Sequence, residues 1–312
     1  MRSATRRLRA PGALLAAALL AACGDRGGAG ARASAPSADS AVSLVDDAGR
    51  TVTLAHPARR IVALVPSVTE TVVALGAADR LVGRTDFDHG PAVDRLPSIG
   101  GGLDPSVETL VSLHPDLVLG WETNGRPELR QRLTALGIPV FSIKTEDTTD
   151  VFRAVRNLGR LTGRGGAADS LAASLRAELA AVRASVAGAA RPTVFYMAWN
   201  DPPLTAGPKT FISQVIEVAG GRNAFADATA LWPTVSMEEI VRRQPDFVVV
   251  PLGEQPNRIE ALKRAAGWRE LRALREGRGV SVPAEVANQP GPRLGEAARA
   301  MRDAIHPELR RP

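Results

Sequence analysis

Cysteine is almost absent from this chain of 312 residues, which contains only Cys23. No intrachain disulfide can form, and a zinc site built on a Cys-x-x-Cys pair is excluded. Aromatic residues make up only 4% of the chain, so the position of each one is informative. A hydrophobic content of 45% and a charged content of 23% argue against disorder and against a multi-span membrane protein. The length suits one large domain or two medium ones.

Recognisable catalytic motifs are also missing. The sequence has no HExxH, GxSxG or Walker A motif, and no GxGxxG at a strand-to-helix turn. A receptor for free zinc or manganese is disfavoured, since its ligand set needs several converging histidines. We therefore predict no catalytic residue, no resident metal and no catalytic cofactor. The alternative is that the chain is an exported enzyme with the same fold. Four scattered histidines are present, three of them before proline: His56, His89, His114 and His306.

Positive charge is concentrated at the start of the chain. The formal net charge is +6, from 39 basic and 33 acidic residues. Four arginines and no acidic residue lie within residues 1–22, so the remainder has 35 basic and 33 acidic residues. Because no basic stripe remains, we expect no nucleic-acid partner.

Residues 1–22 have the pattern of a secretory signal. Arginines are followed by the apolar run at residues 13–22, which is too short to span a bilayer, and then by Cys23. This junction resembles a bacterial lipobox, which implies that Cys23 carries lipid; a plain signal peptide with a chance cysteine is the alternative. Residues 23–41 are rich in Gly, Ala, Ser and Pro and predict a flexible tether. We expect an exported, lipid-anchored protein on the periplasmic or cell-surface side of a bacterial membrane.

Strand and helix patterns alternate along the rest of the chain, which is typical of parallel α/β sheets. The sequence predicts two Rossmann-like lobes, residues 42–163 and 189–312, joined by a single long backbone helix at 164–188, with a ligand cleft between them. After a hairpin at 42–54, the predicted strands are 60–65, 81–82, 116–119, 139–143, 193–197, 247–250 and 279–282. The predicted helices are 69–75, 105–114, 127–136, 151–161, 167–186, 210–218, 236–243, 258–264 and 294–305.

An internal repeat supports the two-lobe prediction. Residues 106–118 and 236–248 align at a constant offset of 130, with six identities in 13 positions. Part of this similarity is generic, since a Pro-Asp turn suits any helix-to-strand junction. Ligands of open α/β sheets bind outside the carboxyl ends of the strands, so two such lobes would define a cleft.

Several aromatic residues fall in predicted loops at the ends of strands. Phe87 and Trp121 follow predicted strands, and Tyr196 and Trp199 end the strand at 193–197. Trp232 lies in the loop before the predicted helix at 236–243. Exposed indole and phenyl rings in a cleft offer flat faces to a large, partly apolar ligand, whereas core packing is the alternative for each. The remaining aromatics within or beside elements are assigned to the core: Phe141, Phe152, Phe211, Phe247 and Trp268.

Two glutamates occupy equivalent positions in the repeat. Glu108 and Glu238 each fall in the first turn of a predicted helix. The helix dipole alone favours an acid there by about 0.3–1 kcal/mol. Their equivalence in the two lobes allows a second interpretation, in which one carboxylate on each lobe binds arginines of a membrane partner.

The chain from about residue 42 to residue 306 resembles the periplasmic binding protein family of vitamin B12, haem and iron-siderophore importers. The resemblance implies two α/β lobes joined by a helix, a ligand held between them, and delivery to an ABC permease and its ATPase without catalysis. We expect a monomer. The stretches that carry the resemblance are 46–53 (DDAGRTVT), 60–70 (RIVALVPSVTE), 75–77 (LGA), 115–118 (PDLV) and 219–225 (AGGRNAF).

Within this family the resemblance extends furthest to members that carry cobalamin. It implies that Phe87, Trp121 and Trp232 contact a corrin ring and that Glu108 and Glu238 dock the permease. Two departures leave haem or a ferric siderophore as alternative ligands. Residues 285–293 lack the family's aromatic, and Trp199 is displaced by one position. The complete predicted ligand-binding set is Phe87, Trp121, Trp199, Trp232, Pro66 and Glu285.

Overall fold

The computed structural model describes residues 40–121, 127–253 and 257–309. The part of the chain before the longest described helix begins with an antiparallel hairpin and continues with alternating strands and helices. Its elements are β1 (Val42–Val45), β2 (Thr51–Leu54), β3 (Ile61–Ala63), α1 (Pro66–Ala74), β4 (Leu81–Gly83), β5 (Gly100–Gly101), β6 (Asp104–Pro105), α2 (Val107–Ser112), β7 (Leu117–Trp121), α3 (Pro127–Ala135), β8 (Val140–Ile143) and α4 (Thr148–Leu161).

The longest described helix is α5 (Gly165–Ser185), and the alternation restarts after it. We refer to the parts of the chain before and after α5 as the first and second lobes. Short 3-10 turns lie at Ala78–Arg80, Trp268–Glu270 and Pro307–Leu309. The second lobe contains β9 (Thr193–Tyr196), β10 (Trp199–Asn200), β11 (Pro203–Leu204), α6 (Phe211–Val218), β12 (Arg222–Asn223), α7 (Met237–Arg243), β13 (Phe247–Leu252), α8 (Arg258–Leu262), α9 (Arg272–Arg275), β14 (Gly279–Pro283), α10 (Ala284–Ala287) and α11 (Leu294–Ile305).

Each lobe is built on a four-stranded parallel sheet, and the two sheets have equivalent topology. The strand order is β4-β3-β7-β8 in the first lobe and β12-β9-β13-β14 in the second. Ile61, Val62 and Ala63 are fully buried, as are Val248, Val249 and Val250, because helices cover both faces of a parallel sheet. The predicted fold class, two Rossmann-like α/β lobes joined by a long helix, is confirmed.

The internal repeat is visible in the backbone. Ser106 and Ser236 are the N-caps of α2 and α7, and each hydroxyl accepts a hydrogen bond from the amide three residues later. The turns that follow these helices use left-handed residues at the same offset, His114 with φ of 45° and Gln244 with φ of 44°. Both lobes therefore reach their central strand through the same local geometry.

The two aspartates of the repeat also have matching roles. Asp116 accepts hydrogen bonds from the amides of Arg59 and Arg60, just before β3. Asp246 accepts from the amide and hydroxyl of Thr193, at the start of β9. Each carboxylate thereby fixes the start of the strand beside its own.

The helix α5 contributes side chains to both cores. Ala168 and Ala172 belong to the core of the first lobe, whereas Leu175 and Val182 belong to that of the second. Along its length α5 packs against α4 and α11. None of the described helices is both long enough and apolar enough to cross a membrane.

Direct hydrogen bonds also join the lobes beside the long helix. The amide of Phe211 donates to the carbonyl of Glu146 at 2.6 Å. The amide and hydroxyl of Thr148 donate to Oε1 of Gln214 at 2.8 and 2.6 Å. The first turns of α4 and α6 are therefore held together.

The structure corrects two local predictions. Pro66 begins α1 and is not in a loop, since proline is well suited to the first turn of a helix. Trp121 is the last residue of β7, paired with Ile143, and does not lie in the following loop. The sequence pattern did not predict the short strands β5, β6 and β12, the short hairpin β10–β11 or the one-turn helices α9 and α10.

Candidate functional site

A cavity of about 540 Å³ opens at the carboxyl ends of the first lobe's strands. Residues that follow β3, end β7 and belong to β8 line it, so it occupies the usual ligand position of an open α/β sheet. We call it the aromatic chamber. Its wall includes Pro66, Phe87, Gly102, Leu103, Gly120 and Trp121, and its charged lining residues are Asp104 and Arg130.

The wall of the aromatic chamber depends on a close backbone approach at Gly102. A Cβ atom at this position would lie 1.9 Å from the carbonyl oxygen of Leu64, which follows β3. No side chain can be accommodated without moving the backbone, so glycine is required there.

The two aromatic rings of this chamber are held in different ways. Phe87 is 66% exposed and lies on a turn in which Asp88 Oδ2 accepts from the amide and hydroxyl of Thr85 at 2.7 and 2.8 Å. Trp121 is half-buried, and its indole nitrogen is buried without a hydrogen-bond partner. The chamber therefore combines one exposed ring with one ring fixed by the sheet.

A second cavity, of about 660 Å³, lies between the two lobes. It adjoins the aromatic chamber, because Pro66 and Phe87 line both. Glu70 and Asp88 come from the first lobe, whereas the second lobe supplies other polar residues. We call this cavity the interlobe chamber. Its lining residues from the second lobe are Glu285, Gln289, Pro292 and Arg293.

An ion pair crosses the interlobe chamber. Arg293 Nη2 lies 3.2 Å from Oε1 of Glu70, and the same nitrogen donates to the carbonyl of Glu285. Burial raises the pKa of Glu70, and the neighbouring Asp88 and Glu296 add to the effect, so that together they outweigh the attraction of Arg293. This pair was not predicted, because its two residues lie in motifs far apart in the sequence.

The predicted aromatics of the second lobe lie outside both chambers. Trp199 is 61% exposed on β10 and Trp232 is 39% exposed. They are on neighbouring segments, since β10 pairs with β11 and Leu204 of β11 forms a bridge with Thr234. The placement of Tyr196 among the loop aromatics was wrong, because it is fully buried and donates to Asn288 Oδ1 at 2.7 Å.

The two repeated glutamates have equivalent places in the fold. Glu108 and Glu238 are each the second residue of a serine-capped helix, and both are exposed. Within the described residues neither carboxylate has an ion-pair partner, whereas the adjacent Glu239 binds Arg242 and Arg243. Both carboxylates are thus accessible to another molecule.

Other predicted sites stand as follows. Cys23, with residues 1–22 and most of the 23–41 tether, lies outside the described residues. Across the described ranges, no group of three or more His, Cys, Asp or Glu side chains is placed to hold a metal ion. The aromatics assigned to the core are buried or partly buried in the two lobes.

The chain belongs to the periplasmic binding protein family, whose model matches residues 61–286. This family consists of substrate-binding transport proteins and not of enzymes.

Individual relatives extend the similarity over most of the chain. A "cobalamin-binding protein" of Halobacterium salinarum is 36% identical, over 85% of this chain and 74% of its own. An uncharacterised ABC transporter substrate-binding lipoprotein of Bacillus subtilis is 29% identical, over 95% of both chains. Among solved structures, the periplasmic heme-binding protein RhuT from Roseiflexus sp. RS-1 is 28% identical with a TM-score of 0.70, over 80% of this chain and 99% of its own.

Proposed function

We propose that the chain is the lipid-anchored substrate-binding protein of an ABC importer and that it carries a cobalamin-like corrinoid between its lobes. The observation that carries the proposal is the pair of adjoining chambers at the cleft, with Phe87 and Trp121 on the wall of one. Small-molecule pockets usually measure about 300–1,000 Å³, and here two such cavities adjoin. Similarity to a cobalamin-binding protein over most of the chain supports the choice of ligand.

In this proposal the ligand is bound by apolar faces and oriented by a few polar groups. Phe87 and Trp121 contact a flat macrocycle from the first lobe, beside Pro66. Trp199 and Trp232, which are exposed on the second lobe outside both chambers, contact the part of the ligand that extends beyond the chambers. Glu285 lies on the interlobe wall and faces the ligand's periphery. Aromatic faces supply large contact areas at low entropic cost.

In the proposal, the permease binds to the two equivalent glutamates, one on each lobe. Glu108 and Glu238 each bind arginine of the permease through charge-assisted hydrogen bonds, and an ATPase drives release. The lobes comprise residues 42–163 and 189–312. Residues 1–22 are removed as a signal peptide, and Cys23 then bears the lipid that holds the tether to the membrane.

Titration of the purified full chain with cyanocobalamin by calorimetry tests the ligand assignment. We expect saturable heat and a one-to-one complex in native mass spectrometry. If neither is observed, the corrinoid assignment is wrong. The same titration with hemin or a ferric siderophore would then show which of these ligands the protein binds.

Haem is the second candidate ligand. It is favoured by the similarity in fold and sequence to a heme-binding protein, at 28% identity over 80% of this chain. A hemin complex tighter than the cyanocobalamin complex would establish this alternative.

A further inference from the structure

The interlobe chamber has an unbalanced set of charges. Its lining includes three carboxylates and one guanidinium, together with His89. The aromatic chamber, in contrast, has one charge of each sign. The carboxylates of the interlobe chamber are Glu70, Asp88 and Glu285, and the guanidinium is that of Arg293.

The single guanidinium is already engaged by the protein. Arg293 pairs with Glu70 at 3.2 Å, donates to the carbonyl of Glu285, and lies 4.0 Å from a carboxylate oxygen of Glu296. A ligand anion would therefore have to compete with two carboxylates for this group. Such competition removes most of the attraction that an isolated arginine offers.

The other two carboxylates of the chamber have no cationic partner in the described structure. Asp88 is 3% exposed, and its hydrogen bonds come from the uncharged amide and hydroxyl of Thr85. Glu285 is exposed on the chamber wall, and only its backbone carbonyl is bound by Arg293. Both therefore add uncompensated negative charge where a ligand would be partly removed from water.

We propose that this charge excess makes the interlobe chamber selective for ligand arms without negative charge, with Glu285 and Asp88 as the specificity-determining residues. This rests on the proposed function, in which the ligand lies between the lobes. Carboxamide arms, such as those around a corrin ring, enter without electrostatic cost and can both donate and accept hydrogen bonds. Carboxylate arms, such as haem propionates, meet like charges at reduced dielectric and are rejected.

Ligands that differ only in charge test the proposal directly. We compare cyanocobalamin with its monocarboxylic acids, in which one propionamide is hydrolysed, by calorimetry on the full chain. For the acid whose arm enters the chamber we expect affinity roughly ten-fold weaker at low ionic strength, and a smaller difference at high salt. Equal affinities for the amide and all three acids would overturn the proposal.

Variants locate the source of the discrimination. Glu285→Gln and Asp88→Asn should each narrow the amide-to-acid ratio by roughly three-fold, since each removes one like charge. Glu128→Gln, which neutralises an exposed acid outside both chambers, should leave the ratio unchanged. If the amide-to-acid affinity ratio is the same in all three variants, neither Glu285 nor Asp88 determines the selectivity.

A second pair of ligands separates this inference from the choice of a corrinoid. If cyanocobalamin does not bind, the proposed ligand fails, and hemin is compared with hemin dimethyl ester. If the interlobe chamber selects against negatively charged arms, hemin dimethyl ester should bind more tightly than hemin. Tighter binding of hemin itself would refute this selectivity whichever macrocycle the protein carries.

Discussion

Arg293 and Glu70 are 223 positions apart in sequence, yet their side chains meet at 3.2 Å across the cleft. Glu70 belongs to α1, which follows the first strand of the first sheet, and Arg293 immediately precedes α11. Beside them Gly291 packs so closely on Ser67 that an added Cβ would lie 3.1 Å from the serine Cβ. The lobes are thus in direct contact on the ligand side as well as at the first turns of α4 and α6.

The raised pKa of Glu70 predicts how the free energy of unfolding depends on pH. Because burial favours the protonated carboxyl in the folded state, the folded chain binds more protons than the unfolded chain above the ordinary pKa of 4.5. The contribution of Glu70 to stability is therefore complete below this pH and is lost as pH rises through the folded-state pKa. Relative to wild type, Glu70→Gln should gain stability from pH 4 to pH 7 in urea unfolding.

Glu308→Gln supplies a control of opposite sign. A hydrogen bond from its own backbone, together with His306, lowers the pKa of Glu308, so its contribution is present above the unfolded pKa and lost as pH falls. This variant should lose stability relative to wild type over the same rise in pH. If the stability of both variants relative to wild type changes with pH in the same direction, the opposite pKa shifts of Glu70 and Glu308 are contradicted.

The proposed contact of the ligand with both lobes predicts that aromatic residues of each lobe contribute to binding. Trp121→Ala and Trp232→Ala should each weaken cyanocobalamin binding by roughly ten-fold or more, since each removes a large aromatic contact. Leu136→Ala, which truncates an exposed side chain away from both chambers, should bind normally. Normal binding by the Trp232 variant would remove Trp232 from the proposed ligand contacts.

Charge reversal of the two equivalent glutamates should affect transport of the ligand but not its binding. Glu108→Lys together with Glu238→Lys should leave ligand affinity unchanged and abolish uptake in cells, because both of the proposed salt bridges to the permease would become repulsive. Glu128→Lys is a matched control, since Glu128 is also the second residue of an exposed helical first turn. Uptake that survives the double reversal would remove the docking role.

The glycine at the wall of the aromatic chamber gives a stability prediction. Gly102→Ala places a Cβ against the carbonyl oxygen of Leu64, so we expect a loss of about 1–3 kcal/mol in the free energy of unfolding, together with weaker ligand binding. Gly165→Ala, at the start of α5 with open space around it, should be neutral or stabilising. Urea unfolding of both variants measures the difference, and equal stabilities would show that the chamber wall adapts.

The fold could be predicted from the sequence because its signals are local and repeated. Apolar runs bounded by glycine and proline identify every strand of the two parallel sheets except the two-residue edge strand β12, and the offset of 130 links α2 to α7. The boundaries were less accurate where a cap or proline extends a helix. Asp147 caps α4 and starts it at Thr148, three residues before the prediction, and Pro66 does the same for α1.

The site could be predicted only in part. Phe87 and Trp121 were selected because their positions follow strands, and the structure brings both to one cavity. Glu70 and Arg293 gave no such signal, since an acid in α1 and an arginine just before α11 are ordinary surface residues until tertiary folding places them together. Tyr196 shows the reverse error, because its place at a strand end did not reveal that its hydroxyl binds Asn288 inside the second lobe.

The bonds between Glu146 and Phe211 and between Thr148 and Gln214 join the N-terminal ends of α4 and α6, two helices that belong to different lobes. Separating the lobes widely would break main-chain as well as side-chain hydrogen bonds. Each such bond contributes about 0.5–1.5 kcal/mol, so wide separation of the lobes has a free-energy cost. In the proposed function, the transporter that receives the ligand supplies this free energy when it separates the lobes.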